Sequence, residues 1–147
     1  MALTQEIYMM KEKMVNRKKW VVGILAVLAF VLVGCDNAVV TTNWVATNER
    51  STSTSDSWSY TARSIRGNAR RDIDFSAEEL SNLHVNSINS EGSIRLTLLQ
   101  GDTEEVFDIS GSFYGNIDTS AFEPGRIRLA LRFDNARDIE LFINWVE

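Results

Sequence analysis

Hydrophobic and polar positions alternate with a period of two through much of the chain after Trp58, the pattern of strands with one dry and one wet face. The strongest segment is Arg126 to Phe133: Ile127, Leu129, Leu131 and Phe133 share one face, Arg126, Arg128 and Arg132 the other. Asp138 to Val146 repeats it, with Ile139, Leu141, Ile143 and Trp145 inward and Asp138, Glu140 and Asn144 outward. If the two form a hairpin, matching faces requires an odd loop. A three-residue loop at Asn135-Ala136-Arg137 meets that condition and sets Arg132 opposite Glu140, a cross-strand charge pair worth roughly 0.2–1 kcal/mol.

A second hairpin follows from a turn. Ile94, Leu96 and Leu98 share one face of Ser93–Gln100, and Gly101-Asp102 is a two-residue turn with glycine first. Pairing Gln100 with Thr103 sets Leu96 opposite Phe107, Ile94 opposite Ile109 and Arg95 opposite Asp108. Ser57 to Arg66, Asn68 to Phe75 and Leu83 to Ile88 also read as extended, the last leading into a turn cluster at Asn89 to Gly92. Ser76-Ala77-Glu78-Glu79-Leu80 has a serine N-cap with glutamate three residues on, predicting one helical turn. Phe113 to Ser120 fits a strand or a loop, and Glu123-Pro124-Gly125 is a turn. Seven or eight short strands predict an all-β fold, an antiparallel β-sandwich over residues 58–147, with a jelly roll among its forms.

Residues 35–57 are rich in Ser, Thr and Asn and read as a flexible linker, able to span at most about 70–80 Å. Val39 to Val45 is the exception, with the composition of an edge strand. Upstream, Asn16-Arg17-Lys18-Lys19 is followed by 15 uncharged residues, Trp20 to Gly34. That is short of the roughly 20 needed to span a bilayer. It fits the basic and apolar regions of a signal peptide over residues 1–34. Met1 to Met14 is longer than such a signal needs, so a start at Met10 or Met14 and a long basic region both fit.

At Leu32-Val33-Gly34-Cys35 the sequence resembles the bacterial lipoprotein lipobox, all four positions matching its pattern. The resemblance covers about the first 35 residues and leaves the mature fold unassigned. It implies alkylation of the Cys35 thiol by diacylglycerol, cleavage after Gly34, and a lipid-anchored protein on the extracytoplasmic face of the cell membrane. It also gives Asp36 a sorting meaning in bacteria with two membranes, and none in bacteria with one. A short anchoring helix with an incidental cysteine is the competing reading.

Composition narrows the function. Ten basic residues, all arginine, and 18 acidic residues follow Cys35, a net charge near −8 that disfavours nucleic acid as a partner. A single cysteine excludes an internal disulfide, and His84 alone leaves little for zinc or imidazole catalysis. The turn carboxylates (Asp72, Asp74, Asp102, Glu104, Glu105, Asp118) follow no calcium-loop spacing and read as solvated charge. Asp72 with Asp74, and Glu104 with Asp108, share strand faces as a glycosidase pair could, though same-face carboxylates are common in any acidic sheet. No nucleophile elbow or phosphate loop occurs. The expectation is therefore a binding module without cofactor, metal or catalytic residues, its partner an envelope protein or a glycan. The alternative is an accessory or spacer subunit with no small-ligand site. Trp58, Tyr60 and Tyr114 are the candidate ligand contacts, because aromatic rings stack on sugars and anchor interfaces. The Arg126, Arg128 and Arg132 stripe reads as charge-paired. Mass spectrometry of the membrane-extracted protein should find Cys35 as the lipidated first residue; an unmodified N-terminus upstream of it would sink this reading.

Overall fold

A computed structural model describes residues 39–146; the expected signal segment and Cys35 lie outside the described residues. The strands are β1 (Val40–Thr47), β2 (Arg50–Ser53), β3 (Ser57–Phe75), β4 (His84–Ile88), β5 (Glu91–Gln100), β6 (Thr103–Asp108), β7 (Ser112–Asn116) and β8 (Gly125–Asn144), with α1 (Ala77–Ser81) between β3 and β4. All pairings are antiparallel, and β3 and β8 pair along almost their whole lengths, from Ser57–Asn144 to Phe75–Gly125.

Each long strand changes partners midway. The first part of β3 and the last part of β8 lie between β2 and β4, with β7 beyond β4. The last part of β3 and the first part of β8 lie between β1 and β5, with β6 beyond β5. Counted by halves, the two layers are β3-β8-β4-β7 and β3-β8-β5-β6, a jelly roll with β1 and β2 added at the edges.

The crossing from one layer to the other is built into the backbone. Ile65 pairs with Ala136 but Gly67 with Phe133, so β8 carries one extra residue and bulges. Asn135 and Asp138 take left-handed conformations there, with φ of 51° and 49°. Gly92 of β5 lies against the bulge, and a Cβ on it would collide with the Asn135 backbone. Gly67 has φ +137°, and a Cβ there would lie 2.6 Å from the Asn43 carbonyl oxygen and 2.9 Å from the Trp44 Cα. Its bareness lets β1, itself bulged between Thr42 and Val45, run close over the bend.

The inward faces of both layers form one core. Ile127, Leu129, Leu131 and Phe133 from one half of β8, Ile139, Leu141 and Ile143 from the other, and Trp145 just after it are all buried, with Ile94, Leu96, Leu98, Ile73 and Val85. One charge lies among them. Arg71, 1% exposed, reaches from late β3 to the carbonyl oxygens of Ser57 (3.0 Å) and Thr54. Its guanidinium lies 5.3 Å from the Trp145 ring centre, a cation–π distance. Trp145 in turn donates its indole N–H to the Ser55 carbonyl at 3.0 Å. Arg71 and Trp145 thus tie the turn before β3 to the core, and burial lowers the Arg71 pKa.

The β5–β6 hairpin has the expected register, Gln100–Thr103 through Leu96–Phe107 to Arg95–Asp108, and Ile94 and Ile109 are both buried. The helical turn at α1 carries its full capping box, Ser76 accepting from the Glu79 N–H and Glu79 from the Ser76 N–H. Three expectations are corrected. Arg126–Val146 is no hairpin: β8 runs straight through Asn135-Ala136-Arg137, and Ala136 is buried. Phe133 and Ile139 are an even number of residues apart, so a hairpin with an odd loop and a continuous strand keep the same faces in phase; alternation could not separate them. Arg132 consequently lies beside Asn68 and Arg95, while Glu140 lies beside Thr61 and Ile88. Second, Ser57–Arg66 and Asn68–Phe75 are one strand through Gly67. Third, the end of β1 and all of β2, expected within the linker, are strands paired with β3, because the edge of β3 offers them backbone partners; the edge strand expected at Val39 to Val45 is present as β1. Gly67→Ala is expected to cost about 1–3 kcal/mol from the forced φ and the crowding by β1. Thermal denaturation should show a fall of roughly 5–15 °C.

Candidate ligand-binding face

The two outer faces of the sandwich differ in what their side chains are already doing. On the β3-β8-β5-β6 layer they are mostly paired with one another. Arg128 binds Asp72 through two hydrogen bonds of 2.7 and 3.1 Å, and Arg126 contacts Asp74 at 3.3 Å. Arg132 and Arg95 both hold Asp134 at 3.0 Å. The guanidinium of Arg128 holds the Asp72 carboxyl below the usual range, and those of Arg132 and Arg95 do so for Asp134. The arginine stripe is charge-paired as expected, but to aspartates on its own and neighbouring strands and not to Glu140.

On the β3-β8-β4-β7 layer the outer face is open. Register places Thr52, Ser59, Phe142, Asn86 and Tyr114 in one row across five strands. Tyr114 is 79% exposed and Phe142 46%. They flank Asn86 at two strand spacings, about 9.5 Å. The next row holds Thr61, Glu140 and Ile88, the last 48% exposed. Ser59, Thr61, Asn86, Ile88, Glu140 and Phe142 line a shallow groove of ≈ 340 Å³. None of the polar side chains among them has a hydrogen-bond partner among the described residues.

Tyr114 does not hang free. His84 meets its ring edge-on at 4.6 Å between centroids, and the His84 Nδ1 is 2.9 Å from the Asn116 Oδ1. His84 and Asn116 are register partners on β4 and β7, and Tyr114 precedes Asn116 by one outward position. The lone histidine therefore buttresses the exposed aromatic.

The other two candidate contacts are corrected. Trp58 and Tyr60 are 1% and 2% exposed, on the inward face of β3. Their rings are 5.5 Å apart, and Tyr60 packs 5.6 Å from Phe133. The polar Ser57, Ser59 and Thr61 on the opposite face of β3 were the signal that the aromatics turn inward. Burial drives the Tyr60 hydroxyl far above the ordinary tyrosine pKa. Phe113 and Phe122 also belong to the core or its margin. Phe142 was missed although alternation puts it outward, between inward Leu141 and Ile143. Trp44 was missed as well: half-buried, it donates to Glu49 at 2.7 Å and lines an open cleft at the bend with Arg66, Asn68 and Arg132. No convergence of three or more His, Cys, Asp or Glu side chains fit for a metal occurs among the described residues.

No protein-family model matches the chain, and no curated protein matches it. Among solved structures, TmCBM61 in complex with beta-1,4-galactotriose is similar, with 13% identity over 74% of this chain and 83% of that chain and a TM-score of 0.39. A likeness of that degree carries no argument about a ligand here.

The depressed value of Asp72 has a definite pH consequence. Its ion pair stabilises the fold above the ordinary carboxylate pKa of about 4 and is lost as pH falls through the lower folded value. Asp72→Asn should destabilise by less than about 1 kcal/mol at neutral pH, since both partners are substantially exposed. In urea denaturation the difference from the parent should shrink as pH falls below about 4.

Proposed function

We propose that the chain is a lipoprotein, tethered through diacylglycerol on Cys35 at the extracytoplasmic face of the membrane, whose sandwich binds glycan without catalysis. The carrying observation is the row Phe142-Asn86-Tyr114 with its unengaged polar neighbours. A pyranose ring offers an apolar face of C–H groups and a rim of hydroxyls. Exposed aromatics stack on the first, and free amide, hydroxyl and carboxylate groups bond the second. The separation of Tyr114 and Phe142 suits an extended chain of sugars, which meets the two rings with successive units and Asn86 between them.

The same row argues against an apolar protein partner. Burying Asn86 under such a surface would leave two N–H donors and a carbonyl unsatisfied, at a cost of about 1–3 kcal/mol. A carbohydrate brings its own donors and acceptors to that position. The groove beside Phe142 extends the row toward Glu140 and Thr61. Asp72 and Asp74, the carboxylates closest to a glycosidase pattern, are engaged by Arg128 and Arg126 on the other layer. The tether rests on the Leu32–Cys35 motif and the apolar run before it.

The protein should retain at least one class of cell-wall fragment or polysaccharide on a glycan array. Tyr114→Ala and Phe142→Ala should each weaken that binding by about tenfold or more in titration calorimetry, with little change in melting temperature. A domain that captures no glycan but holds an envelope protein through this face would replace the reading with an accessory role.

A further inference from the structure

The short reach between Cys35 and the first strand has a consequence for orientation. Only Asp36, Asn37 and Ala38 separate Cys35 from Val39, and β1 begins at Val40. The five Cα steps from Cys35 to Val40 span at most about 18 Å. On the proposed lipid anchor, the start of β1 is held within that distance of the headgroups, so side chains of this edge can reach the layer of about 8–10 Å in which surface charge acts.

Charge around that point is uneven. Val40 pairs with Arg70, Val45 with Arg66, and Thr61 with Arg50. Arg63 lies between, on the outer side of the bend beside Thr47. Among the described residues none of these four exposed arginines has a carboxylate within 4.0 Å, although Arg70 lies near enough to Asp72 to help lower its pKa, whereas Arg95, Arg126, Arg128, Arg132 and Arg137 each have one. Two carboxylates of the same region, Glu49 and Asp138, accept from the neutral donors Trp44 and Ser90 and keep their charge, which leaves the four arginines in excess. Across the β1-β3-β8-β5-β6 layer, the far edge is acidic, with Asp102, Glu104, Glu105 and Asp108 all exposed on β6 and its turn.

We infer that the β1–β2 edge and the bend, through Arg50, Arg63, Arg66 and Arg70, dock on anionic lipid headgroups, with the β6 edge turned away. The inference rests on the lipid anchor proposed above. Arginine forks match phosphate oxygens, and an edge whose exposed large apolar side chains are Val40 and Val45 suits contact with headgroups over deep insertion. Asn86 and Tyr114 lie on β4 and β7, beyond β8 from β2, so docking by the β1–β2 edge covers only the Thr52 end of the row and leaves them open.

The test uses the full lipidated chain, reconstituted into vesicles of phosphatidylglycerol with phosphatidylcholine or of phosphatidylcholine alone. Flotation reads attachment, and amide hydrogen exchange reads docking. Residues 40–53 should exchange more slowly on the anionic vesicles, while β6 stays unchanged and reports that the fold is intact. Each arginine replaced by glutamine should weaken that protection about fivefold, the factor corresponding to roughly 1 kcal/mol per basic side chain at an anionic surface. High salt should remove it. A chain that floats on both vesicles with identical exchange overturns the docking and leaves the anchor intact. A chain bearing no lipid on Cys35 overturns both. Equal protection by soluble polyphosphate without vesicles would reassign the arginines to a free polyanion.

Discussion

The fold turns on a bend made in two paired strands at the same place. β3 and β8 each contribute to both layers, so they must leave one sheet and enter the other together without losing their mutual ladder. The solution is one extra residue in β8, left-handed backbone at Asn135 and Asp138, and Gly67 and Gly92 where side chains would collide. Asparagine and aspartate tolerate that conformation better than most residues, and glycine tolerates it at no steric cost. With the bend in place, each half-strand faces its own other half across the core. Arg71 depends on it directly: it reaches the carbonyls of Ser57 at the start of its own strand and of Thr54 in the turn before it, 14 and 17 residues back, only because β3 folds over.

The bend also decides what the surfaces can do. It sorts the outward residues of β3 and β8 onto two different faces. One receives the alternating arginines and aspartates that neutralise each other, from Arg126–Asp74 to Arg132–Asp134. The other receives Ser59, Thr61, Glu140 and Phe142, which meet Asn86, Ile88 and Tyr114 from β4 and β7. A face whose polar groups bond one another offers little to a ligand. A face of unengaged polar groups around exposed aromatics offers both stacking and hydrogen bonds. Exposed salt bridges such as Arg126–Asp74 add little stability at these exposures, so the first face is better understood as one closed to ligands than as a source of strength.

The third region, the bend itself with β1 and β2, carries the arginines left over from that pairing. Its composition is modest in sequence, Thr, Asn and Ser around a few apolar residues, and for that reason it reads as linker. It becomes structure because β3 presents an unsatisfied edge along its length. Backbone pairing does not require a buried face, and most of the side chains of β1 and β2 remain exposed. The consequence is that the domain begins some 18 residues earlier than Trp58, where the sequence pattern begins.

Local patterning alone settled which residues face inward along nearly every strand, the β5–β6 register from the Gly101-Asp102 turn, and the Ser76 cap. These depend on local periodicity and turn chemistry, which act over a few residues. Tyr114 as an exposed aromatic was legible in the same way, and Phe142 was legible from alternation alone. The rest was settled by contacts between distant parts of the chain. Whether Asn135-Ala136-Arg137 turns the chain back or merely bends it depends on the partner strand, since either choice preserves the inward phase of Phe133 and Ile139. The burial of Trp58 and Tyr60, the pairing of Arg128 with Asp72 more than 50 residues away, and the row joining Phe142, Asn86 and Tyr114 follow from that same choice. Period-two alternation specifies a face but not a neighbour, and neighbours are what make a binding surface.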